Sequence, residues 1–393
     1  RTPEEELFTG WHSGFPDTEA MIIPDSGRIN PLEEDIPFFL AELKDSSICP
    51  RGLLKNLLKT MEAEGLRSKS AFEYEFFLFS ESPHSIREKN YQNLKNFTPG
   101  MFGYSTLRNS VHSDLYSQLL NLCSQMDMPL EGLHTETGPG VLEAAIMVDE
   151  SLNAADKATL FKTFSKVLFQ KNDLVANFMA KWSENYPGQS GHIHLSLQDL
   201  DGQSLFGSKD GKLPKTLQYF VGGLQTYMRE FSVMYAPTVN SYKRLCPGAW
   251  APINMTWGTE NRTTAFRVIT GDSNSQRVEN RLSGADNNPY LALAATLGAG
   301  YLGIKEKIKP SDETIGGAYD LKLSKDRMVP SNLGEAAQLF KASEAAKNLF
   351  GELFVNHFAN TRTWEFNEYK KNRGFFDTAL ISEWELERYF EII

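Results

Sequence analysis

Two glutamates lie close together in one apolar stretch of the chain. The stretch "FEYEFFLF", residues 72–79, is rich in aromatic residues and has no Gly or Pro, which predicts a β-strand. Side chains two positions apart on a strand point to the same face, so Glu73 and Glu75 should lie side by side. Two like charges on so apolar a strand indicate either a solvated face or a bound cation.

Three further segments alternate apolar residues with polar residues of one functional type. They are "GHIHLSL", "RVENRL" and "TETGPGVLEAAI". If these strands form one antiparallel sheet curled around a cavity, its lining holds five carboxylates and one imidazole: Glu73, Glu75, Glu136, Glu143, Glu279 and His192. Five carboxylates stay ionised in one cleft only if cations neutralise them. Oxygen ligands with a single imidazole suit Mg²⁺ or Mn²⁺, and six protein ligands suffice for two or three partly hydrated ions.

Arginines supply the complementary charge. They are dense in the same part of an otherwise acidic chain: Arg244, Arg262, Arg267, Arg277 and Arg281. Guanidinium groups beside divalent metals are what a polyphosphate and a carboxylate substrate would need. The combination predicts phosphoryl transfer from a nucleotide to a carboxylate, after which a nucleophile attacks the acyl phosphate.

Each motif alone has an ordinary structural interpretation. A Glu-x-Glu pair on a strand is commonly solvated, a His-x-His pair commonly lies on a surface, and Arg277 and Glu279 could form a cross-strand ion pair. The joint occurrence of all the segments favours the metal and nucleotide site.

Composition narrows the class of protein. The 393 residues are 41% hydrophobic, enough for a large core. A net charge of -10 argues against nucleic acid or an anionic membrane as the main partner, and no apolar run approaches a membrane span. Three widely spaced cysteines indicate neither a disulfide framework nor a structural zinc site. We therefore expect a reducing, cytoplasmic location.

The surrounding elements predict an α+β fold in two domains. Residues 1–47 contain short extended pieces such as "EAMIIPD" and form a small β-rich unit, while 48–393 form the larger domain. Helical apolar patterns begin at Cys49, run over 153–182 and 213–235, and recur after Pro289 as a buried helix.

The motifs and their order resemble the glutamine synthetase superfamily over roughly residues 8–393. The matching segments are "FEYEFFLF", "HTETGPGVLEAAI", "GQSGHIHLSL", "NSYKRLCPGAWAP", "ENRTTAFRV" and "RVENRLSGADNNPYLALAATLGAG". The resemblance implies a glutamine synthetase-like catalytic domain, a half-barrel of antiparallel strands with flanking helices, after a partial N-terminal β-grasp domain. It also implies a ligase that activates the γ-carboxylate of glutamate with ATP as γ-glutamyl phosphate.

Carried over position by position, the resemblance assigns roles to single residues. Glu75, Glu136 and Glu143 would hold one metal, and Glu73, His192 and Glu279 the second. Arg244 and Arg281 would bind the glutamate carboxylates, with Gly188 near its amino group. Arg262, Arg267 and Arg277 would contact nucleotide phosphates, with His134 and His194 along the ATP site. Arg244, Arg262 and Trp250 are expected at the reacting centre.

The loop "PGAWAP" departs from the family pattern. Ammonia-using members carry an acid at the position of Trp250, where it helps to bind and deprotonate ammonium. An indole offers instead a broad apolar face and a weaker cation–π site. This favours an organic amine or polyamine as nucleophile, as in the family's glutamate–amine ligases. The alternatives are that Trp250 is only a packed loop residue in an ammonia-using enzyme, or that the chain is a catalytically silent assembly protein.

The N-terminus is the second departure from the family. The chain begins on Arg1, close to a segment resembling the family's Trp-containing loop, so the resemblance implies that about half of the β-grasp domain, with the proton-abstracting Asp, is not part of this sequence. The resemblance further implies a homododecamer of two hexameric rings. Trp11 would then reach a neighbouring subunit's substrate site.

Overall fold

The sheet that carries most of the predicted site is built from strands spread along the whole chain. The computed structural model describes Gly14 and residues 17–44, 47–207, 212–272 and 275–393, so Trp11 lies outside the described residues. The strands are β1 Ala20–Ile22, β2 Arg28–Asn30, β3 Ile36–Phe38, β4 Ala41–Leu43, β5 Arg67–Phe79, β6 Leu130–Thr135, β7 Val141–Ile146, β8 Asp149–Glu150, β9 Val175–Asn177, β10 Gly191–Gln198, β11 Trp257–Thr259, β12 Phe266–Ile269 and β13 Arg277–Asn280.

Helices cover one side of this sheet and fill the C-terminal third of the chain. They are α1 Pro50–Ala63, α2 Pro83–Glu88, α3 Thr106–Val111, α4 Ser113–Gln125, α5 Ser151–Lys171, α6 Lys215–Tyr227, α7 Ser232–Tyr235, α8 Ser241–Arg244, α9 Pro289–Glu306, α10 Leu333–Ala342, α11 Glu344–Phe350, α12 Glu352–Arg373 and α13 Glu383–Tyr389. Within the described ranges, no helix is both long and apolar enough to span a bilayer.

The large sheet has nine strands in the order β11-β12-β13-β10-β5-β7-β6, with β8 and β9 also paired to β5. Its pairs are antiparallel except β11 with β12, which run parallel. The α+β class is confirmed, and the parallel pair is the one exception to the expected antiparallel sheet among the described strands. The 13-residue β5 is central because it pairs with four other strands.

Alternation on β5 separates a core face from a polar face. Phe72, Tyr74 and Phe76 are at most 1% exposed and face the helices. The Phe76 ring stacks on Phe178 with centroids 4.9 Å apart and also packs on Phe161 of α5. Burying such rings removes a large apolar area from water, and this fixes which face of the strand carries the glutamates.

Helix α9 is the buried helix expected after residue 288. Pro289 stands at its first turn, and the side chain of Asn288 caps it by accepting from the Leu291 amide. Nearly every residue from Pro289 to Tyr301 is buried. This prediction is confirmed.

Two longer helical predictions are wrong in part. The pattern over 153–182 is helical only to Lys171, after which Asp173 adopts a positive φ of 57° and Val175–Asn177 joins β5 as a strand. The pattern over 213–235 divides into α6 and α7. A short apolar run fits a buried strand as well as a helix, so periodicity alone could not separate them.

The N-terminal strands form two small sheets of their own. β1 pairs with β4 and β2 pairs with β3, both antiparallel. The expected short extended pieces are therefore present in the described part of this region, where "EAMIIPD" contains β1.

Candidate active site

Cross-strand register brings the predicted polar residues opposite one another. Glu75 on β5 faces Glu143 on β7, and Glu73 faces His192 on β10. On the next strand pair, His194 faces Glu279. Directly opposed residues of antiparallel strands lie on one face of the sheet, so these side chains share the polar face.

The first acidic group contains Glu75, Glu136 and Glu143, whose ligand atoms all lie within 4.8 Å of one another. Glu136 follows β6 and precedes a turn in which Gly138 has a φ of 139°; a Cβ there would lie 2.5 Å from Val141. The Oε2 atom of Glu136 is buried without a hydrogen-bond partner. A buried carboxylate oxygen left open beside two other carboxylates fits a divalent cation.

The second group contains Glu73, Glu279 and both histidines of β10. Ligand atoms of Glu73, His194 and Glu279 lie within 4.8 Å of one another. His192 Nδ1 is 3.3 Å from Glu73 Oε1 and 3.2 Å from Glu279 Oε1. The sequence placed only His192 among the metal ligands, whereas the structure brings His194 to the same carboxylates. Arg277 Nε donates to His194 Nδ1 at 3.2 Å, which ties His194 to the arginines as well.

The charges in the two groups differ. Burial raises the pKa of Glu143 to about 7. The negative charges of Glu73 and Glu75 act in the same direction, and His134 acts against them. The hydrogen bond that His134 donates to Glu143 raises the pKa of His134 to about 9. Although burial acts the other way, the neighbouring histidines and Arg281 hold the pKa of Glu279 below its usual range. The first group is therefore short of positive charge, which a metal ion would supply.

The arginines converge on the second group and on an adjoining cavity. Arg267 Nη1 donates to Glu279 Oε2 at 3.1 Å, and Arg281 forms a short ion pair with Glu279. The Nε of Arg267 is buried without an acceptor. An open guanidinium donor in such a place fits an anionic ligand.

A cavity of about 280 Å³ opens beside the first acidic group. Its lining includes the following residues: Glu75, Glu136, Gly188, Ser190, His192, Arg244, Trp250, Arg262, Thr263, Arg281 and Tyr319. We call it the acceptor cavity. Gly188 is required there because a Cβ would lie 2.8 Å from Arg244 Cγ. The Trp250 side chain is 76% exposed, and its φ of 55° is left-handed.

A second cavity of about 400 Å³ lies on the other side of the second group. It is lined by Glu73, His194 and Arg277, together with Lys69 and Gln276. The residues expected near the nucleotide are therefore divided. His194 and Arg277 line this cavity, while Arg262 lines the acceptor cavity.

Sequence reasoning missed Tyr104. Its ring stacks on His134 with centroids 4.6 Å apart, and its amide donates to the Thr135 carbonyl at 2.7 Å. The preceding Gly103 lies so close to Glu136 that a Cβ would be 3.2 Å from Oε2. The only local signal was a Gly-flanked aromatic pair in "PGMFGY".

Comparison with known proteins shows the family of the chain. A family model described as the glutamine synthetase catalytic domain matches residues 47–389. The chain is 40% identical to type-1 glutamine synthetase 2 of Dictyostelium discoideum, over 98% of this chain and 74% of that protein. It is 36% identical to the glutamate–isopropylamine ligase of a Pseudomonas species, over 98% of this chain and 84% of that protein.

The fold has a close solved counterpart as well. The structure of ligand-free GmaS superposes with a TM-score of 0.82 at 26% identity, covering 96% of this chain and 86% of that one. Ligases of this family act on glutamate with ATP and divalent metals. The chain therefore belongs to the glutamine synthetase superfamily, as a carbon–nitrogen ligase whose relatives include the glutamate–amine ligase branch.

Proposed function

We propose that the chain is an ATP-dependent ligase that joins the γ-carboxylate of glutamate to a small organic amine. The observation that carries this proposal is the acceptor cavity, where arginines and the first acidic group face Trp250 instead of an acid. The relative that ligates isopropylamine supports the same class of nucleophile.

The donor sets fit two divalent cations. Glu75, Glu136 and Glu143 would hold the first, and Glu73, His192 and Glu279 the second, with His194 beside them. Bound Mg²⁺ or Mn²⁺ would supply neutralisation of phosphate and carboxylate charge.

The arginines would orient both substrates. Arg244 and Arg281 would bind the carboxylates of glutamate, with Gly188 beside its amino group. Arg262, Arg267 and Arg277 would bind the phosphates of ATP, and His134 and His194 would border the nucleotide. The open Nε of Arg267 supports a phosphate contact. Bidentate guanidinium pairs fix orientation as well as charge.

The reaction then has two displacements. A γ-carboxylate oxygen of glutamate attacks the γ-phosphorus of ATP, the bond to ADP breaks, and γ-glutamyl phosphate forms. The amine nitrogen attacks the activated carbonyl carbon, phosphate leaves, and the amine loses a proton. The arginines stabilise the negative charge that develops on the transferring phosphoryl group.

The cavity favours a monoamine over a polyamine. The two carboxylates in its lining, Glu75 and Glu136, belong to the first acidic group, and three arginines share the same space. A second ammonium group would therefore meet like charge, whereas a short alkyl chain would contact the indole of Trp250. The nucleophile expected from the sequence is an organic amine or polyamine, and the cavity favours the monoamine.

Ammonia-using glutamine synthetase is the second candidate, favoured by the 40% identity to the Dictyostelium protein. A catalytically silent assembly protein is less consistent with the site, since crowded carboxylates that repel one another would serve no structural purpose.

The deciding experiment measures ADP release and product mass with glutamate, Mg²⁺ and a panel of nucleophiles. The panel contains ammonium, isopropylamine, ethanolamine, putrescine and spermidine. We expect a γ-glutamylamide of a monoamine as the main product. Glutamine as the main product would favour the second candidate. Absence of turnover together with a melting temperature insensitive to Mg²⁺ and ATP would favour the silent protein.

A further inference from the structure

Arg244 is a buried cation whose hydrogen bonds go to backbone carbonyls. Its side chain is 4% exposed, and its Nη1 and Nη2 donate to the carbonyls of Leu282 at 3.1 Å and Arg281 at 3.2 Å. The strongest opposite charges acting on it come from Glu75 and Asp286. Under the proposed function Glu75 is a metal ligand, so its charge is shared with a cation. Asp286 is then the other carboxylate whose charge acts on Arg244.

Asp286 holds the start of the helix that carries Arg244. It is 3% exposed, and its Oδ2 accepts hydrogen bonds from Thr238 Oγ1 at 2.7 Å and Ser241 Oγ at 2.5 Å. These two hydroxyls also accept from each other's backbone amides, both at 3.0 Å. Helix α8 begins at Ser241 and ends at Arg244, so the carboxylate is linked to the arginine through one helical turn.

The turn that contains Asp286 is itself held from two sides. Lys162 Nζ of α5 donates to the carbonyls of Ala285 at 2.6 Å and Asn287 at 2.9 Å, which flank Asp286 in the chain. The Asn287 side chain accepts from the hydroxyl of Tyr74, which lies between the two glutamates of β5. Both the turn and α8 are thus fixed relative to the metal-binding strand.

The packing leaves little room for a different side chain. The second oxygen of Asp286, Oδ1, is buried without a donor, and a Cβ on Gly284 would lie 2.5 Å from it. Gly284 in turn bridges to Ser190, whose amide donates to Glu75 Oε2 at 2.6 Å. The Asp286 carboxylate therefore lies in a closely packed turn that is joined through Gly284 and Ser190 to Glu75.

We propose that Asp286 is a positioning residue for glutamate. Resting on the proposed function, its carboxylate fixes α8 through Thr238 and Ser241 and balances the charge of Arg244. The Arg244 guanidinium is thereby already oriented when the carboxylate of glutamate arrives.

The test compares Asp286→Asn with Asp156→Asn. Asparagine keeps the size of the side chain and an acceptor oxygen but removes the charge. Asp156 is a matched control because it is also a buried carboxylate, 4% exposed. It accepts hydrogen bonds from Arg51 and from Tyr290 of helix α9, which begins shortly after Asp286 in the chain. Ser241→Ala, which removes one of the two hydroxyl donors, is a milder variant should Asp286→Asn fold poorly.

We expect Asp286→Asn to raise the KM for glutamate roughly tenfold or more, as for loss of a charged hydrogen-bonding contact. The KM for ATP should stay within about twofold because Asp286 supports only the glutamate arginine. Ser241→Ala should show a smaller rise in the glutamate KM. Asp156→Asn should lower the melting temperature but leave both KM values unchanged.

Glutamate binding is also measured by calorimetry with Mg²⁺ and a non-hydrolysable ATP analogue. If Asp286→Asn bound glutamate with the same affinity as the wild-type protein, the inference would be overturned and the proposed function would still stand. Equal losses for glutamate and ATP in Asp286→Asn would show a merely structural role and overturn it too. If the wild-type protein itself bound no glutamate, the proposed function would fail, and the inference with it.

Discussion

At the scale of single residues, we propose that Trp250 decides what the acceptor cavity can attract. Its indole is 76% exposed in a lining that also holds three arginines and two carboxylates of the first acidic group. Such a face contacts an alkyl chain but draws ammonium only weakly. Under the proposed function, the identity of this one side chain would separate the two candidate nucleophiles.

We expect Trp250→Glu to move the enzyme towards ammonium. A carboxylate there would attract ammonium and accept its proton, so the ratio of kcat/KM for ammonium over isopropylamine should rise about tenfold. Phe375→Glu is the control, because Phe375 is 65% exposed and lies outside the acceptor cavity. An unchanged ratio in Trp250→Glu would remove Trp250 from the explanation of specificity.

At the scale of elements, β5 links the core to the site. Its inward rings pack against α5 and Phe178, and its outward glutamates face β7 and β10. Because the two faces belong to one strand, loss of packing beneath it should reach the glutamates above. The stability of β5 is thus part of the site's geometry.

Phe76→Ala should cost about 3–5 kcal/mol of unfolding free energy, the usual range for a buried aromatic ring. Phe76 is fully buried and contacts Phe161, Phe169 and Phe178. Urea denaturation measures the loss, and Phe375→Ala at the surface should change stability by less than about 0.5 kcal/mol. A similar small effect for Phe76→Ala would mean that this aromatic cluster is not tightly packed.

The stability of the folded protein should depend on pH through Lys162 of helix α5. Burial lowers the pKa of Lys162 to about 7 from the usual lysine value of 10.5. Between these values the unfolded chain binds a proton that the folded protein does not. Stability contributed by Lys162 should therefore increase as the pH rises from about 7 towards 10.

The wild-type protein should accordingly gain unfolding free energy relative to Lys162→Met as the pH rises over that range. Denaturation midpoints at several pH values give the difference, and Lys59→Met on α1 controls for loss of a surface lysine. Parallel pH profiles for wild type and Lys162→Met would show that Lys162 keeps its proton in the fold.

At the scale of the whole molecule, the small N-terminal sheets expose an unusual number of apolar side chains. Met21, Ile22, Ile29 and Ile36 are each about half exposed or more. These side chains are divided between two separate sheets, β1 with β4 and β2 with β3. The expected assembly through the N-terminal domain and the domain boundary at residue 47 both stay predictions.

If the two-ring assembly implied by the family resemblance forms, light scattering should give a mass near twelve times the 44.3 kDa of one chain. Ile22→Asp should reduce the assembled fraction, because it would place a charge in the proposed interface. Leu353→Asp on α12, another exposed apolar residue, serves as the control. A monomeric wild-type protein would contradict the two-ring assembly.

The sequence by itself determined the family and the fold class. Alternation in "FEYEFFLF" placed Glu73 and Glu75 on the face opposite the aromatic core, because the side-chain period of a strand is local. The family motifs then indicated which strands would meet. Side-chain roles at the site remain proposals, although the structure brings Glu75, Glu136 and Glu143 within reach of one ion.

The tertiary structure decided what depends on contacts between distant segments. Strand register brought His194 to Glu73 and Glu279, and pairing with β5 made 175–177 a strand instead of a helix end. It also placed Tyr104 on His134 and Asp286 behind Arg244. Local periodicity cannot specify these partners, because each contact joins residues far apart in the chain and forms only when the sheet and helices are packed.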